Sequence, residues 1–399
     1  MPETVLEQEL DRVAVESLYG SAEPEALRSA RLAAYEHAAA LTFPDERTPG
    51  WRRSDLRGID LRPPQPSPAT YTFELGATDR AAGIVVGKLD EVTQTGDLGL
   101  LRAMPKALTL GKFSALTRSV WQGGAFVRVP DGVTAAEPII IDWQAGPYPR
   151  LVVILGKHAR ATVLERHGGD ARLISGVSDL VVGEGSILRY AHAQQCGKNT
   201  TVFSHQHASV GRDAKLITLN FANGGKLARA DVAVELEAPG AESDMLGLVF
   251  GEGQQQFDFH TLQGHRSHDT RSDLLYKSAL DDNSHSSYTG VITIDRGAQR
   301  SDAYQANRNI MLSDGARADT EPMLEIEADD VRCTHGATVG PIDEETLFYV
   351  ASRGMSPDNA ARLIVEGFFS EVFEKFGDER VTNALAADVS PHLVRLAAK

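Results

Sequence analysis

Three stretches in the middle of the chain share one pattern: Leu155-Gly156-Lys157-His158-Ala159, Val182-Gly183-Glu184-Gly185-Ser186 and Val210-Gly211-Arg212-Asp213-Ala214. Each sets an apolar residue and a glycine before two polar or small residues and then Ala or Ser, and each leads into a run rich in β-formers. Their glycines lie 27 and 28 residues apart. Similar turns recur less evenly at residues 280–284, 294–298 and 312–316. One such unit cannot bury its own apolar face, whereas stacked units bury a continuous core. The repeat therefore predicts a mainly β chain with a right-handed parallel β-helix as its core, in preference to an antiparallel sandwich.

The pattern stops at both ends. Residues 1–42 read as two helices, the first carrying Val5, Leu6, Leu10, Val13 and Leu18, the second opening at Pro24 and presenting a face of alanines. Six prolines between Pro44 and Pro68 then mark an extended connection. Residues 98–116 fit either a helix around 104–110 or a loop. Past residue 340 helical spacing returns. Acidic Asp343-Glu344-Glu345 opens a helix that Gly354 closes. Ser356-Pro357 opens a Phe-rich one that Gly377 closes, and a short helix follows from Pro391 to Ala398. Three regions result: a helical and Pro-rich 1–70, a β-helix over 71–340 and a helical 341–399.

A net charge of −15, with 40 basic residues scattered among 55 acidic ones, argues against a nucleic-acid binder, which needs clustered Lys and Arg. The acidic Met1–Leu10 segment lacks a signal peptide's basic flank and apolar run, and no apolar stretch is long enough to span a membrane, so a cytoplasmic protein is expected. Two cysteines, Cys196 and Cys333, make no disulfide framework.

Arg332-Cys333-Thr334-His335-Gly336 follows a partly alternating run, Met323 to Val331, that reads as a half-buried strand. If the strand continues, Cys333 and His335 share one face with β-carbons about 6–7 Å apart. Sulfur beside imidazole suits iron, zinc or an iron–sulfur cluster, yet two ligands leave a tetrahedral shell unfilled. A buried Cys beside a hydrogen-bonded His meets the same spacing. His205 with His207, and His260, His265 and His268 beside Asp258 and Asp269, are further metal candidates without regular ligand spacing. Cys196 reads as structural. A rival enzyme reading, a β-helix carbohydrate lyase or hydrolase, would draw on Asp258, Asp269, Asp281 and Asp282.

Three blocks change the weight of Cys333-Thr334-His335. Ser301-Asp302-Ala303-Tyr304-Gln305-Ala306-Asn307-Arg308-Asn309-Ile310-Met311-Leu312-Ser313, then Cys333 to Gly340, then Asp343 to Tyr349 with Ser352-Arg353-Gly354, resemble in order and spacing the SufB/SufD family of iron–sulfur cluster assembly scaffolds, and within it the SufD branch. Trp51-Arg52-Arg53-Ser54-Asp55-Leu56 is a fainter echo. The resemblance implies the same β-helix and a non-catalytic subunit of a cluster-building complex. It implies two partners, a SufB-like subunit and an ABC-type ATPase, SufC, docked on residues 343–399. The chain itself has no phosphate-binding loop, since Gly83 to Lys88 is misspaced and Gly111-Lys112 lacks an upstream Gly.

In the SufB branch a Cys stands where this chain has Ala306 and a Glu where it has Gly336. The resemblance thus leaves His335, and with it Cys333, as the ligands this chain offers a nascent cluster shared with its partner. Nothing in the residues specifies a flavin, the cluster type, or whether isolated subunits pair with themselves.

Overall fold

The computed structural model describes residues 10–20, 23–48, 50–93 and 111–396. Two helices open it, α1 (Arg12–Ser17) and α2 (Glu25–Ala40). Pro24 is the residue before α2 and makes no side-chain cap, so the helix starts one position later than its sequence suggests. Val5, Leu6 and the residue 104–110 segment lie outside the described residues. After β1 (Thr70–Glu74), α3 (Ala77–Ala81), β2 (Val85–Lys88) and α4 (Leu89–Thr93), the short helix α5 (Lys112–Val120) follows.

The solenoid then runs through β3 (Ala125–Val129), β4 (Ile139–Ala145), β5 (Arg150–Leu155), β6 (Arg160–His167), β7 (Leu173–Val182), β8 (Ile187–Gln194), β9 (Thr201–Val210) and β10 (Lys215–Ala222). It continues through β11 (Leu227–Leu236), β12 (Glu242–Gly251), β13 (Gln256–His265), β14 (Arg271–Leu280), β15 (His285–Ile294), β16 (Ser301–Met311), β17 (Arg317–Ile326) and β18 (Val331–Pro341). From β3 on, odd-numbered strands form one parallel sheet and even-numbered strands the other; β1 and β2 join their sheets antiparallel. Parallel pairing throughout this stretch excludes the sandwich.

The repeated glycines sit where successive turns stack. Gly183 N–H donates to Leu155 O at 3.1 Å and Gly211 N–H to Val182 O at 2.9 Å, so each turn hangs on the one before. A β-carbon on Gly183 would stand 2.7 Å from the Leu155 carbonyl oxygen, too close for any side chain. Two residues on, His158, Gly185 and Asp213 take left-handed φ values of 56°, 65° and 53°. That conformation returns the chain to the opposite sheet.

Apolar side chains fill the space between the sheets. Inside it, Gly247 leaves room for the Tyr276 ring, whose hydroxyl accepts from Asn220 Nδ2 at 3.2 Å. A methyl group there would occupy the position of that ring. Gly247→Ala is expected to cost about 1–3 kcal/mol, read as a lower urea midpoint, with Gly87→Ala, on strand β2 in open space and without a left-handed φ, as the control for the conformational contribution.

The Pro-rich connection is packed rather than free. Trp51, Leu56, Ile59 and Leu61 pack against a cluster of Phe113, Leu173, Phe203 and Leu227, and the Arg229 guanidinium stacks on Trp51 at 3.9 Å. Three helices close the chain: α6 (Glu344–Ala351), α7 (Pro357–Phe376) and α8 (Glu379–Leu396). The predicted short helix at residue 391 is the end of α8, which runs through Pro391 because Val381, Leu385, Val389 and Leu393 keep one buried stripe. Gly354 lies beyond α6, whose cap is Ser352. In α7, Ser356 caps the first turn and Gly377 the last, as expected. Val365, Phe369, Val372 and Phe376 bury against Leu219, Phe221, Leu246 and Leu248 on the outer face of the even-numbered sheet. Lys277 fastens this contact by bonding Glu371 and the Phe368 carbonyl oxygen. Among the described residues no helix is long and apolar enough to cross a membrane.

Candidate functional site

Cys333 and His335 sit on β18, the terminal strand of its sheet, which pairs with β16 alone. The register sets Cys333 beside Ala303 and His335 beside Gln305. Ala303 and Gln305 are 1% exposed and face the solenoid interior, so Cys333 and His335 continue an inward-facing row. Among the described residues no further strand covers them. Cys333 is therefore half-buried against Ala303, Ile292 and Ile294, and His335 is exposed. Burial pushes the Cys333 thiol above its ordinary pKa. His335 makes no hydrogen bond or ion pair among the described residues, leaving both ring nitrogens available. Ala306 and Gly336 are register partners on the opposite face of the same strand pair.

The other histidines read as metal candidates are engaged with neighbouring side chains. His205 and His207 lie on the outer face of β9, His205 Nδ1 being 3.0 Å from Asp231 and His207 Nε2 3.3 Å from Glu235. The group read around His260 splits three ways. His260 bonds Asp258 at 3.0 Å on the outer face. His265 points inward to Thr270 and Ser272, burial pushing its pKa down to about 4. His268 pairs with Asp269 in an exposed turn. Cys196 packs on Ile174 and Val202, and burial pushes its thiol up to about 12.

The carboxylates of the enzyme reading have structural work. Asp258 binds Arg229 and Ser54, Asp269 binds Arg300, Asp281 accepts from Asp282 N–H within its own turn, and Asp282 accepts from Gly253 N–H of the turn stacked before it.

Comparison with known proteins bears directly on this strand pair, because residues 140–368 match the family model for the SUF system FeS cluster assembly SufBD core domain. The chain belongs to the SufB/SufD family. A SufBD family protein of Mycobacterium leprae is 29% identical over 381 residues, covering 92% of this chain and 95% of the relative. SufD of Escherichia coli is 28% identical over 305 residues, covering 73% and 72%. SufB of Bacillus subtilis is 28% identical over 277 residues, covering 67% and 59%. Within the family the chain falls in the SufD branch, and the matched segment spans both β18 and most of α7.

Buried polar groups at Glu165, His167 and His192 were not singled out in the sequence. Their signal was present: Glu165 and His192 are 27 residues apart, one period of the repeat.

Proposed function

We propose that this chain is a SufD-type, non-catalytic subunit of a cytoplasmic cluster-building complex, supplying His335 and Cys333 to a nascent iron–sulfur site completed by a SufB-like subunit. The carrying observation is the uncapped end of the solenoid. There an unpartnered imidazole and a half-buried thiol share one row of an edge strand. Exposed Met323, Ile326 and Val339 lie on the same two terminal strands. A bare edge with apolar side chains invites a second β-structure, and two donor atoms need a partner's ligands. The nascent cluster is cargo, held until it passes on.

On this reading the ATPase contact would lie on α6. The Phe-rich α7 buries Phe369 and Phe376 against the solenoid, whereas Phe348 and Tyr349 of α6 are 75% and 59% exposed. Anaerobic co-purification of the chain with a SufB-like subunit and a SufC-like ATPase tests both contacts. Wild type is expected to retain both partners, Val339→Asp to lose the SufB-like subunit, and Phe348→Asp to lose the ATPase. Retention of both by both variants contradicts the assignment of these surfaces.

A further inference from the structure

We propose that Glu165, His167 and His192 form a second metal site, a two-histidine, one-carboxylate centre for a divalent first-row transition ion, inside the solenoid and remote in the fold from β18. Glu165 and His167 alternate along β6 and so face the interior together; His192 is the register partner of Glu165 on β8. The three offer one ligand atom each within 4.8 Å of one another, and all three are buried. Glu165 Oε1 and His167 Nε2 already stand 2.9 Å apart. An ion at ~2.0–2.2 Å from N and O donors needs only small side-chain rotations to collect all three.

The burial of the carboxylate also points to a cation. Glu165 is 1% exposed, and among the described residues no Lys or Arg pairs with it; a buried carboxylate needs a partner charge.

The carboxylate is also fixed from behind. Trp143 Nε1 donates to Oε1 at 2.7 Å, while Ser178 and Tyr190 donate to Oε2. Only the proton between Oε1 and His167 has to give way to the ion, leaving every other bond in place. Beside His192 a cavity of about 10 Å³, lined also by Gln194, Ser204 and Asn220, has room for about one water. This donor set suits Zn²⁺ or Fe²⁺.

The test is anaerobic Co²⁺ titration of the full chain after chelator treatment, with Zn²⁺ and Fe²⁺ as competitors. Wild type is expected to bind one equivalent with visible ligand-field bands and no thiolate charge-transfer band, and Zn²⁺ to raise its melting temperature. Tyr190→Phe is expected to weaken binding by ~10–100-fold. His192→Ala and the bulkier His192→Gln are expected to abolish the signal with unchanged circular dichroism. His335→Ala is expected to leave it intact, separating this site from the one on β18. Wild type that retains no cobalt through desalting, or His192 variants that hold as much as wild type, overturns the proposal.

Discussion

Asp179→Asn is expected to lower the unfolding free energy by about 3–5 kcal/mol, the usual consequence of removing one partner from a buried ion pair. Asp179 is fully buried on β7, and Arg118 of α5 clasps it with two hydrogen bonds of 2.7 and 2.6 Å. Arg150 approaches the same carboxylate at 3.5 Å, burial pushing its own pKa down to about 10. Neutralising Asp179 leaves two buried guanidinium groups facing each other without a counter-charge. Because Arg118 rides on α5, the loss also loosens the N-terminal cover of the odd-numbered sheet. Urea denaturation followed by circular dichroism measures the effect. Asp269→Asn, whose partner Arg300 is in an exposed turn, is the control expected to leave the midpoint in place.

The same pair sets a pH dependence. Burial alone would raise the Asp179 pKa, but the Arg118 charge and hydrogen bonds outweigh it and hold it below the ordinary carboxylate value. A depressed folded pKa means the stabilisation is present above the unfolded value of about 3.9 and is lost as pH falls through the folded one. Stability of wild type is thus expected to fall in acid more steeply than that of Asp179→Asn.

Regular features were legible because a solenoid writes its geometry into the chain. The 27- and 28-residue spacing of Gly156, Gly183 and Gly211 marks places where one turn's backbone touches the next, and Ser356 and Gly377 announce the ends of α7. Contacts that depend on distant partners were not legible. Six prolines signalled an extended segment but not that Trp51 would lie on Phe203. Pro391 suggested a helix start, and the buried stripe of α8 overrode it. The Phe-rich composition of α7 did not say what its aromatic residues would meet, and Phe369 and Phe376 bury against the outer face of the even-numbered sheet. At the candidate site the alternation of Cys333 and His335 was readable. That their row belongs to the interior, and is open only because the stack ends there, required the register with β16.

His335→Ala should strip the assembled complex of most of its iron–sulfur cargo while leaving the subunits together. The side chain is exposed and unbonded, so its removal creates no cavity and orphans no partner, and the melting temperature is expected to stay within error. The effect on cargo is expected to be at least about tenfold, since even substitutions outside a metal's ligand shell cost that much. Iron and sulfide analysis of the anaerobically co-purified complex reads it directly. Cys333→Ser then separates two roles for the thiol. A ligand role predicts cargo loss comparable to that of His335→Ala with the fold intact. A packing role against Ile292 and Ile294 predicts a lower melting temperature with cargo retained in the surviving complex. Wild-type cargo in His335→Ala removes the imidazole from the ligand set, and with it the reason for the bare end of the solenoid to meet a partner at this row.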